Sequence, residues 1–184
     1  MISENIASAL EFIVNSIRGR KLNWVIGGSC SLAFNGLDVK PKDIDLITDK
    51  PGAYIFGEVL SKHLIKPVDF REGERFSSHF GRFLVKNMKV EVSGNLKIRN
   101  DKGEWTNHFL DHYREITFRG VKIKVLSIEK AFISYLILGR ERTLNQIASF
   151  LREKGYDHEL LSEVIKEGFL LPSSVERVLK LVSA

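Results

Sequence analysis

Residues 25–47, VIGGSCSLAFNGLDVKPKDIDLI, constrain the fold of this chain more than any other stretch of its sequence. The apolar residues that precede Gly27 predict a buried strand, and the Gly27-Gly28 pair predicts a tight turn at its end. Ser29 is predicted to cap a short helix over about 29–35. A basic loop then leads to a second strand that carries two aspartates. The stretch therefore predicts a strand, a turn and a helix beside a strand with acidic side chains.

The second strand, over 43–47, has the sequence Asp-Ile-Asp-Leu-Ile. Side chains alternate along a strand, so Asp43 and Asp45 are predicted to share one face. Ile44 and Leu46 then point the opposite way. Two carboxylates this close repel each other, and burying them without partners is costly, whereas a divalent cation removes that cost. Because Mg²⁺ usually takes one or two carboxylates together with substrate phosphates, the pattern predicts a Mg²⁺ or Mn²⁺ site. An Asp-x-Asp pattern taken alone is also typical of a solvated strand end.

The turn before this strand offers groups that suit a phosphate. Glycines at positions 27 and 28 let a phosphate approach the backbone closely. A helix that starts at Ser29 adds unpaired N–H groups and the positive end of its dipole. Gly27, Gly28 and Ser29 are therefore predicted to bind phosphate groups.

A third carboxylate, Glu91, lies in a later stretch of alternating polarity over 88–92. Its apolar neighbours Val90 and Val92 are predicted to point to one face of a strand, and Glu91 to the other. Glu91 then faces either solvent or a site. If this strand lies beside 43–47, Glu91 completes an acidic triad in which it shares a metal or acts as a general base.

The remaining segments predict an α/β (α+β) protein with a mixed β-sheet and helices packed on it. Helices and strands alternate up to about residue 92, a strand hairpin follows over about 115–125, and helical periodicity dominates afterwards. We expect a core over residues 1–126 and a helical appendage over 127–184, together forming one compact unit. Trp105, Phe109 and Tyr113 recur at helical spacing and could form one face of a helix.

The composition is that of a globular protein of 184 residues, with 43% hydrophobic and 28% charged residues. No apolar run approaches the roughly 20 residues that span a membrane, and the first residues lack the features of a signal peptide. A cytoplasmic protein is therefore expected. Cys30 is the only cysteine, which excludes an internal disulfide. The net charge of +5 suits a protein that handles polyanions, although many basic proteins share it.

Taken together, three short motifs resemble the nucleotidyltransferase superfamily typified by DNA polymerase beta. The motifs are Ile26-Gly27-Gly28-Ser29, Asp43-Ile44-Asp45-Leu46 and Val90-Glu91-Val92. Within that superfamily the chain resembles a small bacterial and archaeal branch. The branch includes aminoglycoside and lincosamide nucleotidyltransferases, minimal nucleotidyltransferase antitoxins and AbiEii-type toxins.

The resemblance implies transfer of a nucleoside monophosphate from a nucleoside triphosphate to a hydroxyl of a small molecule, protein or RNA. Asp43, Asp45 and Glu91 would be the catalytic and metal-binding residues. Lys42 lies where relatives carry a basic residue just before the aspartates, which implies a nucleotide-binding role. The chain departs from the family at Thr143, where relatives often have an acid.

Two other functions fit the sequence. The same fold can serve as a regulatory module that acts on a helical protein partner, as in a toxin–antitoxin pair. Binding of nucleic acid is possible but not favoured, because alternating lysines are also typical of a solvated strand face. The basic residues around the predicted hairpin are Arg114, Arg119, Lys122, Lys124 and Lys130.

Overall fold

A computed structural model describes residues 2–106 and 110–183 of the chain. The helices in these ranges are α1 Glu4–Ser16, α2 Gly28–Phe34, α3 Lys50–Val59, α4 Ile128–Ile137, α5 Glu141–Lys154, α6 His158–Glu167 and α7 Pro172–Ser183. The strands are β1 Trp24–Ile26, β2 Asp43–Thr48, β3 Leu64–Glu72, β4 Phe76–Val85, β5 Met88–Arg99, β6 Trp105–Thr106, β7 Tyr113–Phe118 and β8 Val121–Leu126. None of the described helices is long and apolar enough to cross a membrane.

The strands form one mixed sheet in the order β3-β4-β5-β2-β1-β8-β7, with β6 paired to the far end of β5. β2 runs parallel to β5, and β1 runs parallel to β8. The other neighbours, including β1 with β2 and β4 with β5, are antiparallel. The predicted α/β class with a mixed sheet is therefore confirmed.

Each face of the sheet has its own hydrophobic cluster. On one face, α1 and α3 cover Ile44 and Leu46 of β2 together with Val90 and Val92 of β5. On the other face, residues of α4–α7 pack against the sheet around Ile47. The carboxyl-terminal helices thus share a core with the sheet, and the division of the chain at residue 126 stays a prediction.

Side-chain caps explain where several helices begin. Ser3, Asp49, Ser127 and Asp157 each accept a hydrogen bond from a backbone N–H three residues further on, as their positions before apolar periodic segments predict. The structure contradicts one predicted helix. Trp105 lies in β6 and Tyr113 in β7, so these two aromatic residues are not on a helix face, and Phe109 lies outside the described residues.

Candidate active site

The parallel pairing of β2 with β5 brings three carboxylates to one region of the sheet. Asp45 lies directly opposite Glu91, and Asp43 lies opposite Lys89. Strand alternation puts these side chains on the face opposite the cluster under α1 and α3, and all three carboxylates line one cleft. The structure therefore brings together Asp43, Asp45 and Glu91, the residues of the predicted triad.

The glycine turn packs against the carboxylate of Asp45. The Gly27 N–H donates to the Asp45 carbonyl oxygen at 2.9 Å, which fixes the turn beside β2. Gly28 has a φ of +55°, and a Cβ placed on it would lie 1.8 Å from Asp45 Oδ2. Gly28 is therefore needed both for its left-handed backbone and for the space that the carboxylate takes.

The predicted cap role of Ser29 is wrong. The N–H of Ser31 donates to the carbonyl oxygen of Gly27, so α2 begins one residue earlier and Gly27 is its N-cap. No side chain caps this helix. Ser29 lies in the first turn, where it lines the same cleft as the carboxylates.

Two cations contact the carboxylates. Lys89 Nζ lies 2.8 Å from Asp43 Oδ2 and 3.5 Å from Glu91 Oε1. Arg82, opposite Glu91 on β4, places Nη2 2.8 Å and Nε 2.9 Å from the same Glu91 oxygen. The hydrogen bond to Asp43 raises the pKa of Lys89 above its ordinary value, so its ammonium stays charged.

Asp45 differs from its two neighbours because no side chain among the described residues pairs with its carboxylate. Its pKa is raised to about 7, first by burial and then by the charges of Asp43 and Glu91, while Lys89 opposes the shift. Burial and the charge of Asp45 also raise the pKa of the nearby Tyr135 to about 12. A largely buried carboxylate and the two carboxylates that it repels form a donor set that a divalent oxygen-seeking cation fits.

The carboxylate oxygens of Asp43, Asp45 and Glu91 are not all within 4.8 Å of one another, the spacing at which three groups could hold one ion without moving. In the described ranges, one group of three acidic or histidine residues has ligand atoms all within 4.8 Å of one another, and it consists of His112, Glu163 and Glu167. In that group Glu167 already pairs with His112 and Lys130, each at 2.9 Å. It ties α6 to α4 and to the loop before β7, which is a structural role.

The carboxylates lie in a cleft with a volume of about 1120 Å³. One wall is the tip of the β3–β4 hairpin, residues 70–76, and another is formed by α4 and the start of α5. Arg75 Nη1 donates to the Leu138 carbonyl oxygen at 2.8 Å, which joins the two walls. The cleft is thus large enough for a nucleotide and a second substrate.

Lys42 is exposed and does not line this cleft, so its nucleotide-binding role stays a prediction. The interpretation of Lys130 as part of a basic surface is wrong, because it is buried on α4 and pairs with Glu167. Arg119 is held by Glu4 and Glu11. The basic surface predicted around the β7–β8 hairpin is therefore smaller than the sequence suggests.

The family model for aminoglycoside-2''-adenylyltransferase matches residues 9–160. The chain belongs to this family. A candidate nucleotidyltransferase from Thermotoga maritima is 34% identical, over 84% of this chain and 97% of that one, with a TM-score of 0.71. ANT(2")-Ia, solved in complex with adenylyl-2"-tobramycin, is 14% identical over 96% of this chain and 94% of that chain. Its TM-score of 0.50 shows the shared fold alone. No curated protein matches the sequence.

Membership of the aminoglycoside-2''-adenylyltransferase family confirms the predicted nucleotidyltransferase superfamily and the small bacterial and archaeal branch that the sequence resembles. It also confirms the assignment of the chain to a family of enzymes. The family's name describes transfer of an adenylyl group to a hydroxyl acceptor, which is the general reaction that the resemblance implied.

Proposed function

We propose that this chain transfers a nucleoside monophosphate from a nucleoside triphosphate to a hydroxyl acceptor with the help of Mg²⁺ or Mn²⁺. One observation carries the proposal. Asp45 lies opposite Glu91 on parallel strands, two residues from Asp43, and a glycine turn with no room for a side chain packs against it. This is a carboxylate cluster next to a backbone that a phosphate can approach.

The roles of the residues follow from their chemistry. Asp43, Asp45 and Glu91 would hold the cation, which would neutralise phosphate charge as the reaction proceeds. The acceptor hydroxyl oxygen bonds to the α-phosphorus, and the bond from that phosphorus to the departing pyrophosphate breaks. The hydroxyl proton passes to a carboxylate, and Glu91 is the residue we assign as metal ligand or general base. Gly27, Gly28, Ser29 and Lys42 would contact the phosphates.

We further propose that the acceptor is neutral or anionic. Outside the three carboxylates, three arginines and two glutamates provide the charged groups of the cleft wall, so the wall has no excess of negative charge. An aminoglycoside is a polycation, which an excess of negative charge on the wall would favour. The aromatic side chains of the wall also offer apolar surface to an acceptor. The charged residues are Arg71, Glu72, Glu74, Arg75 and Arg140, and the aromatic ones are Phe70, Phe76, Phe80 and Tyr135.

The proposal is tested by incubating the protein with each of the four nucleoside triphosphates, labelled at the α-phosphate, and Mg²⁺ or Mn²⁺. We expect label to move to an acceptor present in a cell extract, and the transfer to stop in EDTA. Label that moves equally well in EDTA would contradict the metal dependence. In the same assay tobramycin is expected to stay unlabelled, and labelled tobramycin would contradict the proposed acceptor class.

A further inference from the structure

Lys89 occupies a position between two of the proposed metal ligands. It lies on β5, two residues before Glu91 and directly opposite Asp43 of β2. Its Nζ is 2.8 Å from Asp43 Oδ2 and 3.5 Å from Glu91 Oε1. One ammonium group therefore contacts two of the carboxylates that we propose as metal ligands.

The two cations of the site differ in how easily they can leave. Arg82 directs both Nε and Nη2 to Glu91, and its planar guanidinium is well suited to hold that position. Lys89 is a single charge at the end of a flexible four-carbon chain. The two side chains are almost equally exposed, at 41% for Lys89 and 39% for Arg82, so their chemistry and not their exposure distinguishes them. Lys89 is therefore the cation that can move away from the carboxylates while Arg82 stays.

A divalent cation held by Asp43 and Glu91 would compete with the Lys89 ammonium for these carboxylates. A divalent cation held by Asp43 would repel the Lys89 ammonium, because two positive charges would then lie close to the same carboxylate. Metal binding would therefore weaken the contact between Lys89 and Asp43, which lowers the affinity of the protein for metal alone. A triphosphate in the cleft offers the displaced ammonium a new partner of opposite charge.

We propose that Lys89 competes with the divalent cation for Asp43 and Glu91, and that it transfers to the triphosphate when metal and nucleotide bind together. The inference rests on the proposed function and adds a form of regulation to it. Metal alone binds weakly, and each ligand strengthens binding of the other by the same factor, as thermodynamic linkage requires. The site then assembles only when the nucleotide is present.

The test is a measurement of Mn²⁺ affinity, with the free ion followed by electron paramagnetic resonance. Wild-type protein and Lys89→Met are titrated with Mn²⁺ alone and again with saturating α,β-methylene ATP. We expect Lys89→Met to bind Mn²⁺ alone about 10-fold more tightly, because a charged hydrogen bond no longer competes. The nucleotide analogue should enhance Mn²⁺ binding to the variant about 10-fold less than it enhances binding to the wild type.

Lys97→Met is the matched control. It removes the same charge from the same strand, but Lys97 borders a smaller pocket that includes neither Asp43 nor Glu91. Its Mn²⁺ affinities should equal those of the wild type. If circular dichroism shows that Lys89→Met is unfolded, Lys89→Gln is measured in its place.

A folded Lys89 variant that binds Mn²⁺ alone no more tightly than the wild type would overturn the inference while leaving the proposed function intact. Equal nucleotide enhancement in the two proteins would overturn it as well. Wild-type protein that binds no Mn²⁺ even with the analogue would overturn the metal-dependent function itself, and the inference with it.

Discussion

The two faces of β2 and β5 carry out different tasks with alternating residues of the same strands. On one face, Ile44 and Val90 are fully buried under helices. On the other, Asp45 and Glu91 meet at the same register position and repel each other. The apolar face stabilises the sheet, whereas the acidic face reduces its stability to create a place for a cation. The difference predicts that substitutions on the two faces have opposite consequences.

The largest effect is expected on the acidic face. Glu91→Gln should lower the rate of nucleotidyl transfer about 10³-fold, because a general base or metal ligand is lost. The protein should remain folded, since the amide keeps the size of the carboxylate. The rate is measured with α-labelled triphosphate. A rate within about 3-fold of the wild type would remove Glu91 from the proposed machinery.

The glycine turn packs against Asp45 on the acidic face, and a substitution in this turn is expected to have the second-largest effect. Gly28→Ala places a methyl group where Asp45 Oδ2 now lies, so the carboxylate must move, and transfer should fall about 100-fold. Gly120→Ala is the matched control, because its φ is +78° but nothing lies within 4 Å of the added Cβ. It should cost about 1–2 kcal/mol of stability and leave the rate unchanged. Equal losses of activity in both variants would contradict the specific contact.

Asp45→Asn should make the protein more stable in EDTA at pH 8, by up to about 4 kcal/mol. The pKa of Asp45 is raised from 3.8 to about 7 by burial and by Asp43 and Glu91. Between these values the native state keeps a proton that the unfolded chain has lost, so stability falls as the pH rises through this range. The asparagine escapes this loss, and its advantage should disappear near pH 4.

Chemical denaturation of Asp45→Asn at the two pH values measures this difference. Asp38→Asn, at an exposed loop position, serves as the control and should match the wild type. A variant that is less stable than the wild type at pH 8 would show that the Asp45 carboxylate is not a destabilising group.

The smallest effect is expected at Ile44, which lies between the two aspartates in the sequence but on the apolar face of the sheet. Ile44→Val should lower the free energy of unfolding by about 1 kcal/mol, because a buried methylene is lost. The transfer rate of the folded protein should be unchanged. A large loss of activity in this variant would show that the two faces of β2 are not independent.

Alternation and turn chemistry predicted the part of the site that depends on neighbouring residues. The shared face of Asp43 and Asp45 follows from the strand period, and the place of Gly28 follows from its freedom to adopt positive φ. The prediction that Ser29 caps α2 is wrong because the backbone hydrogen bond from the Ser31 N–H to the Gly27 carbonyl oxygen starts the helix earlier. A glycine can occupy a cap position without any side-chain signal.

The contacts of Arg82 and Lys89 with the carboxylates were not predicted, although the sequence contains a signal for both. A two-residue connection at Lys86-Asn87 fixes the register of the following hairpin, and that register puts Arg82 opposite Glu91. Lys89 lies two residues before Glu91 and must share its face. The cleft wall, in contrast, depends on how the hairpin tip meets α4, a long-range contact that no local pattern encodes.

The most direct test of the central claim is calorimetric titration of the protein with Mg²⁺ and α,β-methylene ATP. We predict saturable binding to the wild type that disappears in EDTA and in the double variant Asp43→Asn with Asp45→Asn. Asp38→Asn should bind as the wild type does. Binding of the nucleotide to the double variant with unchanged affinity and metal dependence would contradict the claim that this face of the sheet holds a metal-bound triphosphate.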